Sequence, residues 1–273
     1  MSSKLQAIDY GKSRVRVAKI NRQAGEHGFS DLTIDIRLQG QFHDAYLKGD
    51  NSLVVPTDTM KNVVYALAAT RSLDPIEEFG QALAAHFWQS HEHVTGATLD
   101  IIEHDWRRLD PYAFELGQSR RLARVESTRN GVVFSAGIDN LVVLKTTKSS
   151  FVGFLKDAYT TLPESLDRIM ATSVKAVWRY GNTAVDFNAS FERCRQNMVE
   201  VFVAHDSKAV QETLFAMGDA VLSKQPEIEE IRLTMPNKHY LPVRLTPFGL
   251  ENRNEVFLPT DEPHGSIEAL LTR

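Results

Sequence analysis

The sequence of 273 residues has little cysteine, glycine or proline and no surplus of positive charge. Its single cysteine, Cys194, excludes an intramolecular disulfide and a metal site built from several thiolates. The 15 glycines and 10 prolines are too few for a linker-rich or disordered chain. With 31 basic and 35 acidic residues, the formal net charge is −4, which argues against a general nucleic-acid-binding protein.

Nothing in the sequence predicts a membrane or secreted location. The longest apolar run that we find, Val63–Ala69, is far shorter than the ~20 residues that cross a bilayer. The start, Met1–Lys4, lacks the apolar core of a secretory signal, and the end, Leu271–Arg273, is not a Ser-Lys-Leu peroxisomal address. We therefore expect a cytoplasmic protein with no membrane partner. At ~150 residues per domain, the length predicts about two domains.

Alternating and helical hydrophobic periods predict an order of elements that occurs twice. Strands are predicted at Arg14–Asn21, Leu32–Gln39, Phe42–Lys48, Val94–Trp106, Val132–Lys145, Val174–Tyr180, Ile228–Met235 and His239–Leu245. Helices are predicted at Pro56–Arg71, Asp74–Ser90, Ala189–Ala204 and Ala209–Lys224. This order predicts an α+β chain of two ββααββ halves, each an antiparallel sheet with helices on one face.

Two internal matches support a duplication, although any helix–strand unit resembles another to some degree. Leu53–Thr59 resembles Leu141–Thr147, and Val94–Ile101 resembles Ile228–Met235. The two matches have different offsets, so insertions separate the halves. The uncovered sheet faces make subunit association the natural expectation.

Histidine and cysteine offer two weak candidates for chemistry. His91-x-His93 would place two imidazoles on one face of a strand, as a metal site requires, but no further ligand has obvious spacing, so polar surface residues are favoured. Arginines on either side of Cys194 would lower its pKa if they approached the thiol, although an inert half-buried thiol is favoured. The sequence contains no Walker loop, no G-x-G-x-x-G and no G-x-S-x-G motif.

Three short segments combine groups that transfer protons or bind anions. Tyr10-Gly11-Lys12 precedes the first strand, Pro56-Thr57-Asp58 stands at a helix start, and Asn237–Tyr240 interrupts two strands. Free N–H groups at a helix start favour an anion. A lysine, a threonine and a histidine together could form a proton relay. The ordinary alternative is a surface lysine, a helix-capping threonine and a turn histidine.

A longer motif identifies a family resemblance. It runs from Leu141 through Lys145-Thr146-Thr147 to Phe151-Val152-Gly153-Phe154, and it continues through Tyr159, Leu162 and Arg168. Together with the three short segments and Val210-Gln211, it resembles urate oxidase (uricase) from about Tyr10 to about Pro263.

The resemblance implies both an architecture and a reaction. The fold would be two tandem tunnelling-fold domains, 1–137 and 138–273, whose sheets close into barrels in a homotetramer with active sites at subunit interfaces. The reaction would be oxidation of urate by O2 and water to 5-hydroxyisourate and H2O2. Urate and O2 would be the small-molecule partners, with no metal and no organic cofactor.

The resemblance also assigns roles to ten residues. Lys12, Thr57 and His239 would be the catalytic proton relay. The substrate-binding residues would be Thr57, Asp58, Phe151, Leu162, Arg168, Val210, Gln211 and Asn237. Phe151 would stack on the purine, while Phe154 would pack in the core. Arg168 and Gln211 would bind the edges of the substrate. Val210 would donate its backbone N–H to the substrate. Leu162 would form a pocket wall, and Asn237 would face the position of O2 or water above the purine. Thr57 and Asp58 would come from a neighbouring subunit, Asp58 through its main chain.

Two other functions remain open at this point. One is a tunnelling-fold pterin enzyme that holds zinc through His91, His93 and either His86 or His104. The other is a non-catalytic purine-binding protein that keeps Arg168, Gln211 and Phe151 but has lost turnover. The presence of Lys12, Thr57 and His239 argues against it.

Overall fold

A computed structural model describes residues 3–6 and 8–273 and groups them into two compact units. The first unit contains the chain up to Gly137 together with Arg179–Ala189. The second contains Ile138–Trp178 and Ser190–Arg273. Each unit combines antiparallel strands with helices, so the predicted α+β class is confirmed.

The first unit is an antiparallel sheet with two long helices and one short helix. Its strands are β1 (Tyr10–Gln23), β2 (Glu26–Gly40), β3 (Val94–Arg108), β4 (Phe114–Thr128) and the start of β5 (Gly131–Lys145), and they neighbour one another in that order. Its helices are α1 (His43–Lys48), α2 (Thr57–Thr70) and α3 (Ile76–Ser90).

The alternating apolar residues of β2 show why this sheet has one dry face. Leu32, Ile34 and Ile36 are fully buried, and α2 contacts β1 while α3 contacts β3 and β4. Burying each such side chain stabilises the fold by about 1.5–3 kcal/mol. The buried Met60 and Leu83 carry the apolar stripes of α2 and α3.

The second unit repeats the pattern with a different strand arrangement. It contains the rest of β5, most of β6 (Met170–Tyr180) and of α4 (Phe187–Ala204), and the elements α5 (Val210–Lys224), β7 (Ile228–Thr234), β8 (Asn237–Pro242), β9 (Phe257–Gly265) and β10 (Glu268–Thr272). Strands β5, β6, β7 and β10 neighbour one another in that order, and β8 pairs with β6 and β9. Helix α5 contacts β7 and β10.

One predicted strand is wrong, and three strands were not predicted. Phe42–Lys48 is the helix α1 rather than a strand, because Lys48 pairs with Asp44 one turn earlier and Gly49 closes the turn with a φ of 69°. The strand β4 escaped prediction because its buried positions, Ala123, Val125 and Ser127, contain a single larger apolar side chain, Val125. Strands β9 and β10 have weak alternation.

The first internal match joins unlike elements. Leu53–Thr59 leads into α2, whereas Leu141–Thr147 ends β5, so that similarity does not mark equivalent structure. The second match does join equivalent elements, because Val94–Ile101 follows α3 and Ile228–Met235 follows α5 as a strand.

Gly11 allows the start of β1 to approach β2 unusually closely. A Cβ atom added at Gly11 would lie 1.8 Å from the carbonyl oxygen of Ile36, so the backbone itself would have to move. We expect Gly11→Ala to lower the free energy of unfolding by about 1–3 kcal/mol and to displace Lys12. The measurement is thermal unfolding alongside Gly28→Ala, where the nearest atom is an exposed side-chain carbon at 3.2 Å. Equal melting temperatures for the two variants would contradict this account.

Candidate active site

Tyr10 joins the start of β1 to the loop before α2. Its hydroxyl donates a hydrogen bond to the carbonyl oxygen of Val55, and its ring lies edge-on to Phe42 at 4.8 Å. Burial, with the nearby Tyr46, raises the pKa of Tyr10 to about 12, so the hydroxyl stays a donor. Since Lys12 follows Tyr10 by two residues and Thr57 follows Val55 by two, this bond brings two predicted relay residues into one region of the first unit.

Lys12 lies on an irregular part of β1. It pairs with Ile36, and the register shifts before Val15, which is a bulge of the kind that often re-aims side chains beside active sites. The charge of Lys12 also contributes to a lowered pKa of Asp58, behind the larger effect of the hydrogen bond from Lys61. Lys12 therefore lies within electrostatic reach of the first turn of α2.

The first turn of α2 leaves backbone donors available. Thr57 is the first helical residue, and the preceding Pro56 supplies no side-chain cap. The carboxylate of Asp58 is already bound by Lys61 at 2.5 Å and Asn62 at 3.0 Å. Both carboxylate oxygens of Asp58 thus already have a partner within α2, and its predicted role through the main chain stays a prediction.

In the second unit, Arg168 is held by the segment that contains Phe151. Phe151 and Ser165 exchange two backbone hydrogen bonds of 2.7 and 3.1 Å, and the N–H of Arg168 donates to the carbonyl oxygen of Ser149 at 2.8 Å. Thr161 and Pro163 together have the pattern of a helix start, but this pairing holds the chain extended and no helix forms.

Arg168 is half-buried, and its guanidinium is not fully compensated. It lies over the ring of Phe151, 5.1 Å from the centroid, and its Nε has no hydrogen-bond partner among the described residues. Burial lowers the pKa of Arg168. A half-buried cation with a shielded, unused donor favours an anionic, planar ligand.

The ring of Phe151 already takes part in parallel stacking. Phe154 stacks on it at 4.8 Å with an interplanar angle of 13°. The expectation that Phe154 fills the core is therefore wrong, because its ring is half-buried and packs on Phe151. Phe151 is likewise half-buried, and its role in stacking on a purine stays a prediction.

Val210 and Gln211 form the start of α5, beside the same segment. Val210 is buried, Gln211 is exposed, and Ala209 before them provides no side-chain cap. Ser207 holds this start through two backbone bonds, from Ser150 N at 2.8 Å and to Lys148 O at 3.0 Å. The segment from Lys148 to Phe151 thus lies between Arg168 and the start of α5, at about one strand spacing from each.

Asn237 and His239 lie on β8, near the start of β6. Asn237 pairs with Thr172 of β6, which begins two residues after Arg168. The register of β8 against β9 shifts between Asn237 and His239, and Lys238 between them pairs with Asp261 at 2.6 Å. Both Asn237 and His239 are half-buried.

Phe151 and Arg168 contact each other directly, but no hydrogen bond or ring contact within the described residues joins Leu162 to another predicted site residue. The side chain of Leu162 is exposed, in a segment that also exposes Leu155, Tyr159 and Leu166. The predicted residues thus form two groups, with Lys12, Thr57 and Asp58 in the first unit and the rest in the second. Sequence reasoning missed Ser149, Ser207 and Thr213, since nothing local distinguishes them.

The weak candidates do not gain support. His91 ends α3 and His93 lies in the following turn, so the expectation that both share a strand face is wrong. The described residues contain no group of three or more His, Cys, Asp or Glu side chains that could hold a metal ion. Burial raises the pKa of Cys194 to about 12 and outweighs the lowering effect of Arg193, which supports the favoured interpretation of an inert thiol. No helix in the described part of the chain is long and apolar enough to cross a membrane.

Comparison with known proteins finds consistent similarity along the whole chain. A sequence profile of the family described as Uricase matches residues 8–133 and, separately, residues 134–268. Uricase from Arthrobacter globiformis is 42% identical over 97% of this chain and 88% of that protein. Uricase from Dictyostelium discoideum is 38% identical over 97% of this chain and 96% of that protein.

Solved structures agree with the sequence matches. The crystal structure of uricase from Arthrobacter globiformis has a TM-score of 0.96 and 41% identity, covering 100% of this chain and 96% of that chain. Urate oxidase from Bacillus sp. TB-90 has a TM-score of 0.86 at 23% identity, over 98% of this chain and 100% of that chain, and supports the fold alone.

Proposed function

This chain belongs to the uricase family and is a urate oxidase, and from that premise we propose how its own residues perform the reaction. The half-buried Arg168 carries this proposal, because its shielded Nε has no partner among the described residues and its guanidinium lies over Phe151. Such a site matches a flat anion that carries an oxygen or ring nitrogen at its edge.

Urate is held by a clamp with two sides. Arg168 binds one edge of the purine, while the amide of Gln211 and the N–H of Val210 bind another, and the ring stacks on Phe151. Leu162 forms a wall, and Asn237 faces the position of O2 or water above the ring. The uncapped start of α5 supports this arrangement, because its free N–H groups and dipole favour negative charge.

The substrate supplies the electrons for the oxidation. The urate anion, stabilised by Arg168 and the helix N–H groups, transfers two electrons to O2, and a hydroperoxide forms at C5. Water then replaces the peroxide group, giving 5-hydroxyisourate and H2O2. Because the electron-rich substrate reacts with O2 itself, the reaction is proposed to require no metal or organic cofactor.

The proton relay consists of Lys12, Thr57 and His239. It accepts the substrate proton and later activates the water that displaces peroxide. The hydrogen bond from Tyr10 to Val55 supports cooperation between Lys12 and Thr57. Because this bond joins the two segments within one subunit, Lys12 contributes to the same active site as Thr57 and Asp58 of that subunit.

The assembly is proposed to be a homotetramer with active sites at subunit interfaces. Two tandem tunnelling-fold domains, 1–137 and 138–273, would close their sheets into barrels, and Thr57 and Asp58 would reach the site of a neighbouring subunit. The strongly exposed Leu155, Tyr159 and Leu166, 85–92% accessible, support burial of this segment against another chain. A cytoplasmic location stays a prediction.

The alternative functions are less well supported. A zinc-dependent pterin enzyme would need His91 and His93 on one strand face, and they lie in a turn. A purine-binding protein without turnover would not need Lys12 and Thr57 close together.

The test combines substrate loss with a metal control. Protein treated with a strong chelator and then dialysed should remove the ultraviolet absorbance of urate while consuming one O2 for each urate. Activity that vanishes after chelation and returns with one metal ion would overturn the cofactor-free mechanism. Absence of urate loss with or without metals would overturn the function itself.

A further inference from the structure

Both sides of the proposed clamp depend on one short segment. The N–H of Arg168 donates to the carbonyl oxygen of Ser149 at 2.8 Å on one side of it. On the other side, Ser207 bonds to Ser150 and Lys148 at 2.8 and 3.0 Å. The distance between Arg168 and the start of α5 is therefore set by how Ser207 is held.

The hydroxyl of Ser207 continues this connection into α5. Ser207 is completely buried, and its Oγ donates to the carbonyl oxygen of Ala209 at 3.1 Å. The same Oγ accepts a hydrogen bond of 2.8 Å from the Oγ1 of Thr213, which is also completely buried. Each hydroxyl donates once, so the chain of bonds from Thr213 through Ser207 to Ala209 is satisfied.

Thr213 fixes the rotation of α5 at the point where the clamp begins. Val210 and Gln211 are the first two residues of the helix, and Thr213 lies on its inner face within the first turn. Successive helical residues are turned by ~100° about the axis, so a small rotation would re-aim both the N–H of Val210 and the amide of Gln211.

We propose that Ser207 and Thr213 are positioning residues for urate oxidation, which hold the start of α5 in fixed relation to Arg168 and Phe151. This inference rests on the proposed clamp and extends it to two hydroxyls that do not touch substrate. Their role differs from that of an ordinary buried hydroxyl, because their bonds connect the two sides of the site.

The test compares Thr213→Val, which keeps the shape and removes the hydroxyl, with Thr213→Ser, which keeps the hydroxyl. We expect Thr213→Val to raise KM for urate at least about tenfold, as misplaced binding groups do, and Thr213→Ser to stay near the parent value. Under nitrogen, where urate binds without turnover, Thr213→Val should weaken the Kd by a similar factor. Ser207→Ala should have the same effect by breaking the same chain of bonds.

Ser190→Ala is the matched control. Ser190 is also a completely buried serine of the second unit, but its Oγ donates to Glu227 at 2.8 Å instead of to the clamp. It should lower the melting temperature by about as much as Ser207→Ala while leaving KM and Kd unchanged.

Three results would overturn the inference. One is an unchanged KM and Kd in both Thr213→Val and Ser207→Ala, and another is an equal loss in Thr213→Val and Thr213→Ser. The third is an equal rise of KM in Ser190→Ala, which would indicate a general effect of stability. If Thr213→Val does not fold, KM and Kd are compared among Ser207→Ala, Thr213→Ser and Ser190→Ala. The inference then requires a rise in Ser207→Ala but not in the other two variants. Parent protein that binds urate under nitrogen but does not oxidise it in air would instead contradict the proposed function.

Discussion

Lys12→Ala is expected to lower kcat roughly 100- to 10,000-fold, the range typical of the loss of an acid–base group. The reason is that the hydroxyl of Thr57 has too high a pKa to exchange protons by itself, and a neighbouring amine provides the route. Thr57→Ala should have a similar effect. KM for urate should change far less in Lys12→Ala, since Lys12 is not assigned to the clamp.

The double variant is the sharper measurement. Residues that act as one unit are strongly non-additive, so Lys12→Ala combined with Thr57→Ala should fall little below either single variant. If the two residues contributed independently, the fold losses of kcat in the single variants would instead multiply in the double variant. A double variant whose loss equals the product of the single losses would contradict a shared relay.

Lys19→Ala is a suitable control for Lys12→Ala. Lys19 lies on the same strand, and its Nζ binds the carbonyl oxygens of Ala68 and Arg71 at the end of α2, each at 2.7 Å. Removing it should reduce stability without reducing kcat by more than a few fold. If kcat fell by the same factor in Lys19→Ala and Lys12→Ala, the loss in Lys12→Ala would come from reduced stability rather than from the relay. Near-normal turnover in Lys12→Ala would remove Lys12 from the relay.

Local sequence patterns predicted the elements that obey a simple period. The helices α2, α3, α4 and α5 have continuous apolar stripes, and β2 alternates almost perfectly, so their positions follow from the sequence. The short helix α1 depends on a left-handed Gly49 and the Asp44–Lys48 pair, which a count of apolar residues does not register. The strand β4 is held by its neighbours β3 and β5 more than by its own pattern.

The candidate site could be predicted only through the family resemblance. Arg168 and Ser207 are 39 positions apart, and their connection through Ser149 and Ser150 consists of backbone hydrogen bonds between distant segments. Likewise, the approach of Lys12 to Thr57 depends on a bond between Tyr10 and Val55. No local period encodes such contacts, which is why the supporting residues became visible only in the structure.

Arg168→Met is expected to have the largest effect on binding. Truncating one partner of a buried charged hydrogen-bonded pair costs about 2–5 kcal/mol, so kcat/KM should fall roughly 30- to 4000-fold. Arg168→Lys keeps the charge but not the planar pair of donors, and it should recover only part of this loss. Steady-state kinetics and binding of urate under nitrogen measure both changes.

The stability of Arg168→Met should change in the opposite direction to its activity. Without ligand, the parent protein holds a half-buried guanidinium over the ring of Phe151, and its shielded Nε has no partner in the described chain. Replacing that cation with an apolar side chain of similar length removes a desolvation cost, so the ligand-free variant should melt at the same temperature or higher. Added urate under nitrogen should raise the melting temperature of the parent but not that of Arg168→Met. Equal stabilisation of both proteins by urate would show that the purine binds elsewhere, and a large loss of stability in ligand-free Arg168→Met would show that Arg168 supports the fold rather than the substrate.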